Sequence, residues 1–306
     1  NNFAKFPAKI FANHLSPVAH RVISPYQSAF VKGRYILDVL CLHEIVQDLR
    51  SRNSKAIILE LDFEKAYDSV NWPFLRQVLL AKGFDGAYVH CIMQLVSGGH
   101  TTVSVNGHIR NFFVNGRGLR QGDPASPVLF NFVADAFSRI LLRAARHGHI
   151  LPMASHLVPD GITRLQYADD TIIMVGLNDA CIAHLKFILL YFEAVSGLKI
   201  NFSKSEILVT GVDDMEALRV ARLLNCSLGS FPFKYLGLPI SPVVLHAKDF
   251  APAVSKVGNR VLPWRGRYST NAGKVSLMNA CLSSLPMFLM GFYLLSVGIH
   301  AGFDKH

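Results

Sequence analysis

Charge is scarce in this 306-residue chain, where Asp, Glu, Lys and Arg make up 17% of residues. An average soluble domain carries about 25%. Hydrophobic residues make up 51%, so material for a core is ample and intrinsic disorder is excluded. The five cysteines, at 41, 91, 181, 226 and 281, are isolated, with no CxxC pair. Zinc fingers and disulfide scaffolds are thereby excluded, and a reducing compartment is expected. Internal repeats, low-complexity tracts and a targeting signal are also lacking. Between Lys274 and Asp304 there is no charged residue, a stretch longer than the ~20 residues of a membrane span. Asn279, Ser283, Ser284, Pro286, Gly291 and Ser296 interrupt it, which favours a buried helix or contact surface, and no membrane partner is expected. The length suggests roughly two compact units. Opening on Asn1 rather than Met suggests a piece of something longer.

What charge there is sits unevenly. The net charge is +10, and residues 1–56 hold 8 basic and 3 acidic side chains. Residues 57–247 hold 16 of each, and residues 248–306 hold 7 and 2. Two basic flanks around a neutral middle suit a polyanion such as nucleic acid. Ordinary solubility charge explains them equally well.

Hydrophobic periodicity and turn residues predict an alternating α/β order. Helices are expected at Phe11–Val18 and Tyr35–Leu49, and a buried strand at Ala56–Phe63 with Asp62 at its end. Asn71 and Pro73 open a helix that Gly83 stops, and another follows at Ala87–Val96. Asn106-Gly107 marks a hairpin joining Thr101–Val105 to His108–Val114. Gly116–Pro127 reads as loop, followed by a long helix to Ala145. Short strands at Arg164–Tyr167 and Thr171–Val175 flank Ala168-Asp169-Asp170. Asp179–Ser196 is a helix ended by Gly197, Glu206–Thr210 a strand, Met215–Leu224 a helix and Phe231–Ile240 a small hairpin. Composition shifts near 242.

Asp62 ends an apolar strand, and Asp169-Asp170 sit at a tight turn. Carboxylates beside buried strands are costly unless paired or metal-bound, and converging carboxylates repel until a divalent cation relieves them. Hard oxygen ligands suit Mg²⁺, and two such ions suit in-line displacement at phosphorus. Taken singly, however, such aspartates are ordinary turn chemistry.

Five segments occur in order: LDFEKAYDSVNW (Leu61–Trp72), GLRQGDPASP (Gly118–Pro127), LQYADDTIIM (Leu165–Met174), SGLKINFSKSE (Ser196–Glu206) and FKYLGLPIS (Phe233–Ser241). SPYQSAFVKGR (Ser24–Arg34) precedes them and WRGRYSTNAGK (Trp264–Lys274) follows. The set resembles the reverse transcriptase of non-LTR (LINE-type) retrotransposons, in its plant form, over nearly the whole chain. The resemblance implies an α/β (α+β) right-hand polymerase. Fingers-like segments would be 1–56 and 72–117. The palm, an antiparallel sheet backed by helices, would be 57–71 and 118–241. Residues 242–306 would form a partial, truncated helical thumb-like or connecting region.

The resemblance also implies roles. Asp62, Asp169 and Asp170 match the catalytic, metal-binding carboxylates, and Phe63 the position whose backbone carbonyl faces a metal. Tyr67 matches the aromatic gate under the nucleotide sugar, favouring deoxynucleotides. Gln121 and Gly122 match the loop nearing nucleotide and template. Lys32 and Arg34 are candidates for triphosphate contact, and Lys204 for proton donation to pyrophosphate. Phe233, Lys234, Tyr235, Leu236 and Gly237 match the primer grip. Asp123 is expected to pair with Arg117 or Arg120 instead of acting in catalysis. Implied with these are two Mg²⁺ ions (Mn²⁺ as an alternative), an RNA template, a DNA primer, dNTPs and the missing domains, such as an endonuclease, of a longer polyprotein. An intracellular location is expected, nuclear at the site of action. The implied activity is RNA-directed DNA polymerase. Two alternatives stand beside it, an inactive nucleic-acid-binding remnant of a retrotransposon and a mobile-intron maturase-type enzyme.

Overall fold

The computed structural model describes residues 2–109, 111–261, 270–277, 279 and 284–295. It opens with α1 (Asn2–Val22), far longer than the expected Phe11–Val18. Ala8, Ala12, Leu15 and Ala19 are buried at helical spacing along it, and this stripe carries the helix through Pro7 and Pro17 despite the helix-breaking cost of an internal proline. Next come α2 (Asp38–Ser51), β1 (Ala56–Leu61) and the single turn α3 (Ala66–Ser69). The strand is shorter than expected: Asp62 lies just past its end, and Phe63 makes an isolated bridge to Ile200. In α4 (Trp72–Ala81) the Asn71 side chain accepts from the Phe74 amide at 3.1 Å, as the capping signal implied. After α5 (Gly86–Ser97), the hairpin forms as two short ladders. β2 (His100–Thr101) pairs with β5 (Phe113–Val114), and β3 (Ser104–Val105) with β4 (His108–Ile109), around the left-handed Asn106-Gly107 turn.

The long helix α6 (Ser126–Arg146) leads to β6 (Arg164–Tyr167) and β7 (Asp170–Gly176). Then follow α7 (Asp179–Ser196), β8 (Glu206–Thr210), α8 (Asp214–Leu224) and β9 (Ser227–Leu228). The five strands form one sheet in the order β6-β7-β1-β8-β9, antiparallel except between β8 and β9. Side chains alternate across a strand. Ile57, Leu59, Leu61, Ile173, Val175 and Ile207 accordingly join the core built by α1 and α4 to α8. The opposite face carries Ile58 and Glu60 of β1 with their partners Met174, Ile172, Leu208 and Glu206. Glu60 stands directly across from Glu206. Burial, then the charges of Glu206, Asp170 and Asp62, pushes its carboxyl up to about 7.

The end of α1 is fastened by a buried charge cluster. Asp135 of α6, fully buried, accepts from the Ser24 amide and from Lys82 Nζ and Arg139 Nε. Lys82 also donates to the Val22 carbonyl at 3.0 Å, and Arg139 to the same carbonyl at 3.1 Å. Burial alone would raise the Asp135 pKa, but the hydrogen bonds from Lys82 and Arg139 hold it below the usual value.

By compactness the chain divides into Asn1–Asp38 with Asp48–Gly229, and Val39–Gln47 with Ser230–His306. In the second unit β10 (Phe233–Tyr235) and β11 (Leu238–Ile240) pair around left-handed Leu236 and Gly237. Tyr293 donates to the Pro239 carbonyl at 2.5 Å and meets the Phe250 and His43 rings edge-on. Among the described residues, helices α9 (Ala247–Val261), α10 (Asn271–Leu277) and α11 (Ser284–Met290) also belong to it. Residues 264–269 of the Trp264–Lys274 segment, and much of the uncharged stretch, lie outside the described residues. Among those described, no helix is long and apolar enough to cross a membrane.

Lys82→Met would leave Asp135 with too few cationic partners and should lower the unfolding free energy by about 3 kcal/mol. Urea denaturation at pH 7 checks this, and a loss below about 1 kcal/mol would assign the cluster a minor role. Glu60→Gln removes a carboxylate whose folded pKa is raised, so the charge destabilises the fold above pH 7 and not below the unfolded value of 4.5. In metal-free buffer the variant should melt a few degrees higher than the wild type at pH 8, about 2–4 °C per kcal/mol. The difference should disappear near pH 4.

Candidate active site

The β1–β7 register decides where the carboxylates meet. Leu61 pairs with Thr171 and Tyr167 with Asp170, so the next residue of each strand end brings Asp62 alongside Asp170. The turn between β6 and β7 is only Ala168-Asp169, and Asp170 is already the first residue of β7. Asp62 is half-buried, while Asp169 and Asp170 reach solvent. Burial, then the charges of Asp169 and Asp62, raises the Asp170 pKa. Glu60, pushed up to about 7, joins the same electrostatic group with Glu206 as its nearest contributor.

The backbone of Asp62 is held at both ends by the loop before β8. The Asn201 amide donates to the Asp62 carbonyl at 2.9 Å. The Asp62 amide donates to Ser205 Oγ at 3.1 Å, and that hydroxyl donates to the Asn201 carbonyl at 2.9 Å. Ser205 is wholly buried. Sequence reasoning singled out the exposed Lys204 beside it and passed over Asn201 and Ser205. It likewise passed over Glu60 and Glu206, although a glutamate inside the apolar run IILEL was a visible signal.

Tyr67 lies half-buried on the short α3 turn, its ring stacked on Phe130 of α6 at 4.7 Å and 17°. Burial, then the Asp169 charge, pushes its phenol to about 12. The loop carrying Gln121 and Gly122 is tied to this turn. Gly118 donates to the Val70 carbonyl and Leu119 to the Tyr67 carbonyl, at 2.8 and 2.7 Å. Trp72 Nε1 donates to the Gly118 carbonyl at 2.7 Å. Gly118, at φ 91°, leaves no room for a side chain, because a Cβ would stand 2.6 Å from the Asp68 carbonyl oxygen. Exposed Gln121 and Gly122 line a cavity of about 560 Å³ with Arg120, His100, Phe112 and Lys5. Asp123 does not pair with Arg117 or Arg120 as expected: its carboxylate accepts from the Ala125 amide at 2.8 Å, in the turn just before α6.

The two fingers-like cations differ. Lys32 is exposed, whereas the Arg34 guanidinium donates to the carbonyls of His20, Ile23, Ser24 and Gln27, a C-terminal cap for α1. Lys204 is exposed in the turn at Asn201–Ser205. Phe233–Gly237 is a tight hairpin in the second unit, with Phe233 and Tyr235 buried and Lys234 exposed.

Among the described residues no three His, Cys, Asp or Glu side chains form a ready-made ion cage. The donor set nonetheless fits a hard divalent cation: carboxylates from two adjacent strand ends crowd together, and beside burial the charges of Asp169 and Asp62 raise the Asp170 pKa, a repulsion that such a cation relieves.

A family model described as reverse transcriptase (RNA-dependent DNA polymerase) matches residues 3–240. The chain is 29% identical over 288 residues to the transposon TX1 uncharacterized 149 kDa protein of Xenopus laevis, covering 92% of this chain and 21% of that protein. It is 26% identical over 223 residues to a Pol polyprotein from the type-1 retrotransposable element R2 of Popillia japonica, covering 67% of this chain and 34% of that one. The chain thus spans between 21% and 34% of the length of these relatives. In fold it is similar to a telomerase from Candida tropicalis solved with a TWJ fragment of telomeric RNA, at a TM-score of 0.51 and 10% identity, covering 93% of this chain and 46% of that one. The fold is that of a right-hand polymerase. From Asp62 on its strand end to the Ala168-Asp169 turn, the ordered boxes lie within the matched span, and the chain belongs to the reverse transcriptase (RNA-dependent DNA polymerase) family, in its non-LTR retrotransposon branch.

Proposed function

We propose that this chain performs RNA-templated DNA synthesis, in which a primer 3′-OH attacks the α-phosphate of a dNTP and pyrophosphate departs. The observation that carries this is the pairing of β1 with β7, which brings Asp62 beside Asp169 and Asp170 at one end of the sheet. Asp62, Asp169, Asp170 and the Phe63 carbonyl would hold two Mg²⁺ ions, with Mn²⁺ as a substitute. Bound there, the ions would lower the pKa of the 3′-OH and neutralise charge developing on pyrophosphate. Tyr67, braced by Phe130, sits under the sugar and leaves no space for a 2′-OH. Gln121 and Gly122 meet nucleotide and template along the cavity wall. Lys32 supplies an exposed cation for the triphosphate, and Arg34, through the carbonyls it caps, shapes that segment. Lys204 stands as the proton donor to pyrophosphate, and Phe233–Gly237 as the primer grip.

In this reading residues 1–56 and 72–117 are fingers, 57–71 and 118–241 palm, and 242–306 thumb-like or connecting. Polymerisation would take place inside the nucleus, with further domains of a longer polyprotein supplying target cleavage.

Primer extension on poly(rA)/oligo(dT) tests the proposal. The wild type should incorporate dTTP only with a divalent cation, and Asp169→Ala should fall to background while template–primer binding stays within about twofold. Incorporation unaffected by the substitution would remove the carboxylate from the reaction, and a wild type inert with either ion would mark a binding remnant. Tyr67→Val should raise ribonucleotide relative to deoxynucleotide incorporation by roughly 10–100-fold, the scale of a lost steric contact. An unchanged ratio would assign sugar selection elsewhere.

A further inference from the structure

The catalytic hairpin turns on a residue poorly suited to its backbone. Ala168 has φ 57° while Asp169 does not share the left-handed region. In a two-residue hairpin, that first central position is ordinarily given to glycine. Ala168 is also buried, so its polar backbone groups need partners within the protein.

Gln27 supplies them. It lies between α1 and α2, 141 residues away in sequence, with no exposed surface. Its Oε1 accepts from the Ala168 amide at 3.0 Å and from the Ala29 amide at 3.2 Å, and its Nε2 donates to the Ala168 carbonyl at 3.3 Å. One side-chain amide thus pairs with both backbone groups of Ala168, as a neighbouring strand would. The main chain is locked alongside it. Gln166 donates to the Tyr26 carbonyl at 3.0 Å and Ser28 to the Gln166 carbonyl at 3.1 Å, giving a parallel bridge from Gln27 to Gln166. From α6, Asn131 donates to the Ala29 carbonyl at 2.7 Å, and Ser138 donates to Gln166 Oε1.

We infer that Gln27 is a positioning residue: by pairing both backbone groups of Ala168 it fixes the turn that aims Asp169 and Asp170. Wholly buried, it acts only through the hairpin. Its effect on turnover rests on the polymerase reading above, whereas the clamp itself does not.

Hydrogen exchange followed by NMR on the whole chain separates the two. In the wild type the Ala168 amide should exchange at least about 100-fold more slowly than an open amide, and fast exchange there would overturn the clamp with no variant needed. Gln27→Met keeps the side chain's length and removes both hydrogen-bonding groups. It should speed Ala168 exchange about tenfold or more while amides of β8 keep their protection. In primer extension the same variant should lower kcat by roughly 10–100-fold, the cost of a misplaced reacting group, with the dNTP KM within about twofold. Wild-type exchange at Ala168, or a wild-type kcat, in a folded Gln27→Met chain would overturn the inference. Should the wild type fail to extend primers, the polymerase reading falls and the exchange data still decide the clamp.

Discussion

The antiparallel register of β1 against β7 is the constraint on which the site depends. Leu61 opposite Thr171 places two strand ends side by side, and each carries an aspartate just where its apolar run stops. A slip of one residue would turn every side chain of the strand to the other face. Ile57, Leu59 and Leu61 would then leave the helical core while the carboxylate face became apolar. The core therefore enforces the register, and the register brings together charges that would otherwise separate. Burial first, and then that enforced proximity, raises the pKa values of Glu60 and Asp170.

Around this pairing, loops distant in sequence are tied down by backbone hydrogen bonds. The Asn201–Ser205 turn holds Asp62 through its amide and carbonyl. The Gly118–Leu119 backbone holds the Tyr67 turn, and Gln27 holds Ala168. Behind them, Asp135 with Lys82 and Arg139 anchors the end of α1, from which the Ser24–Arg34 segment departs. Each tie engages main chain, so the backbone is set while the reactive side chains stay open to a ligand. Such preorganisation is what the proposed phosphoryl transfer would require.

Elements with local signals were legible. Asn71 and Pro73 opened α4, Gly197 stopped α7, Asn106-Gly107 made its hairpin turn, and β8 covers the expected Glu206–Thr210. The three aspartates were legible too, because charge at the edge of an apolar run is conspicuous. Elements governed by tertiary contact were not. The first helix was expected only over Phe11–Val18, but a buried Ala and Leu stripe extends α1 through two prolines. Asp123 had arginines nearby in sequence, yet an amide two residues on was nearer in space. Arg34 read as a candidate for triphosphate contact, and only the fold shows its guanidinium donating to four carbonyls.

Periodicity, capping residues and ordered boxes in the sequence by itself determined the family, the α/β alternation and the residues with chemistry to offer, since these depend on neighbours a few positions apart. Tertiary structure alone decided that Glu60 and Glu206 share the carboxylate face, that Ser205 grips Asp62, and that Gln27 serves Ala168. Each of those facts joins residues between 141 and 146 positions apart, a separation that no local pattern encodes. The physical reason is that a buried polar group takes whatever partner the packed core brings within about 3 Å, and only the closed fold determines which one that is.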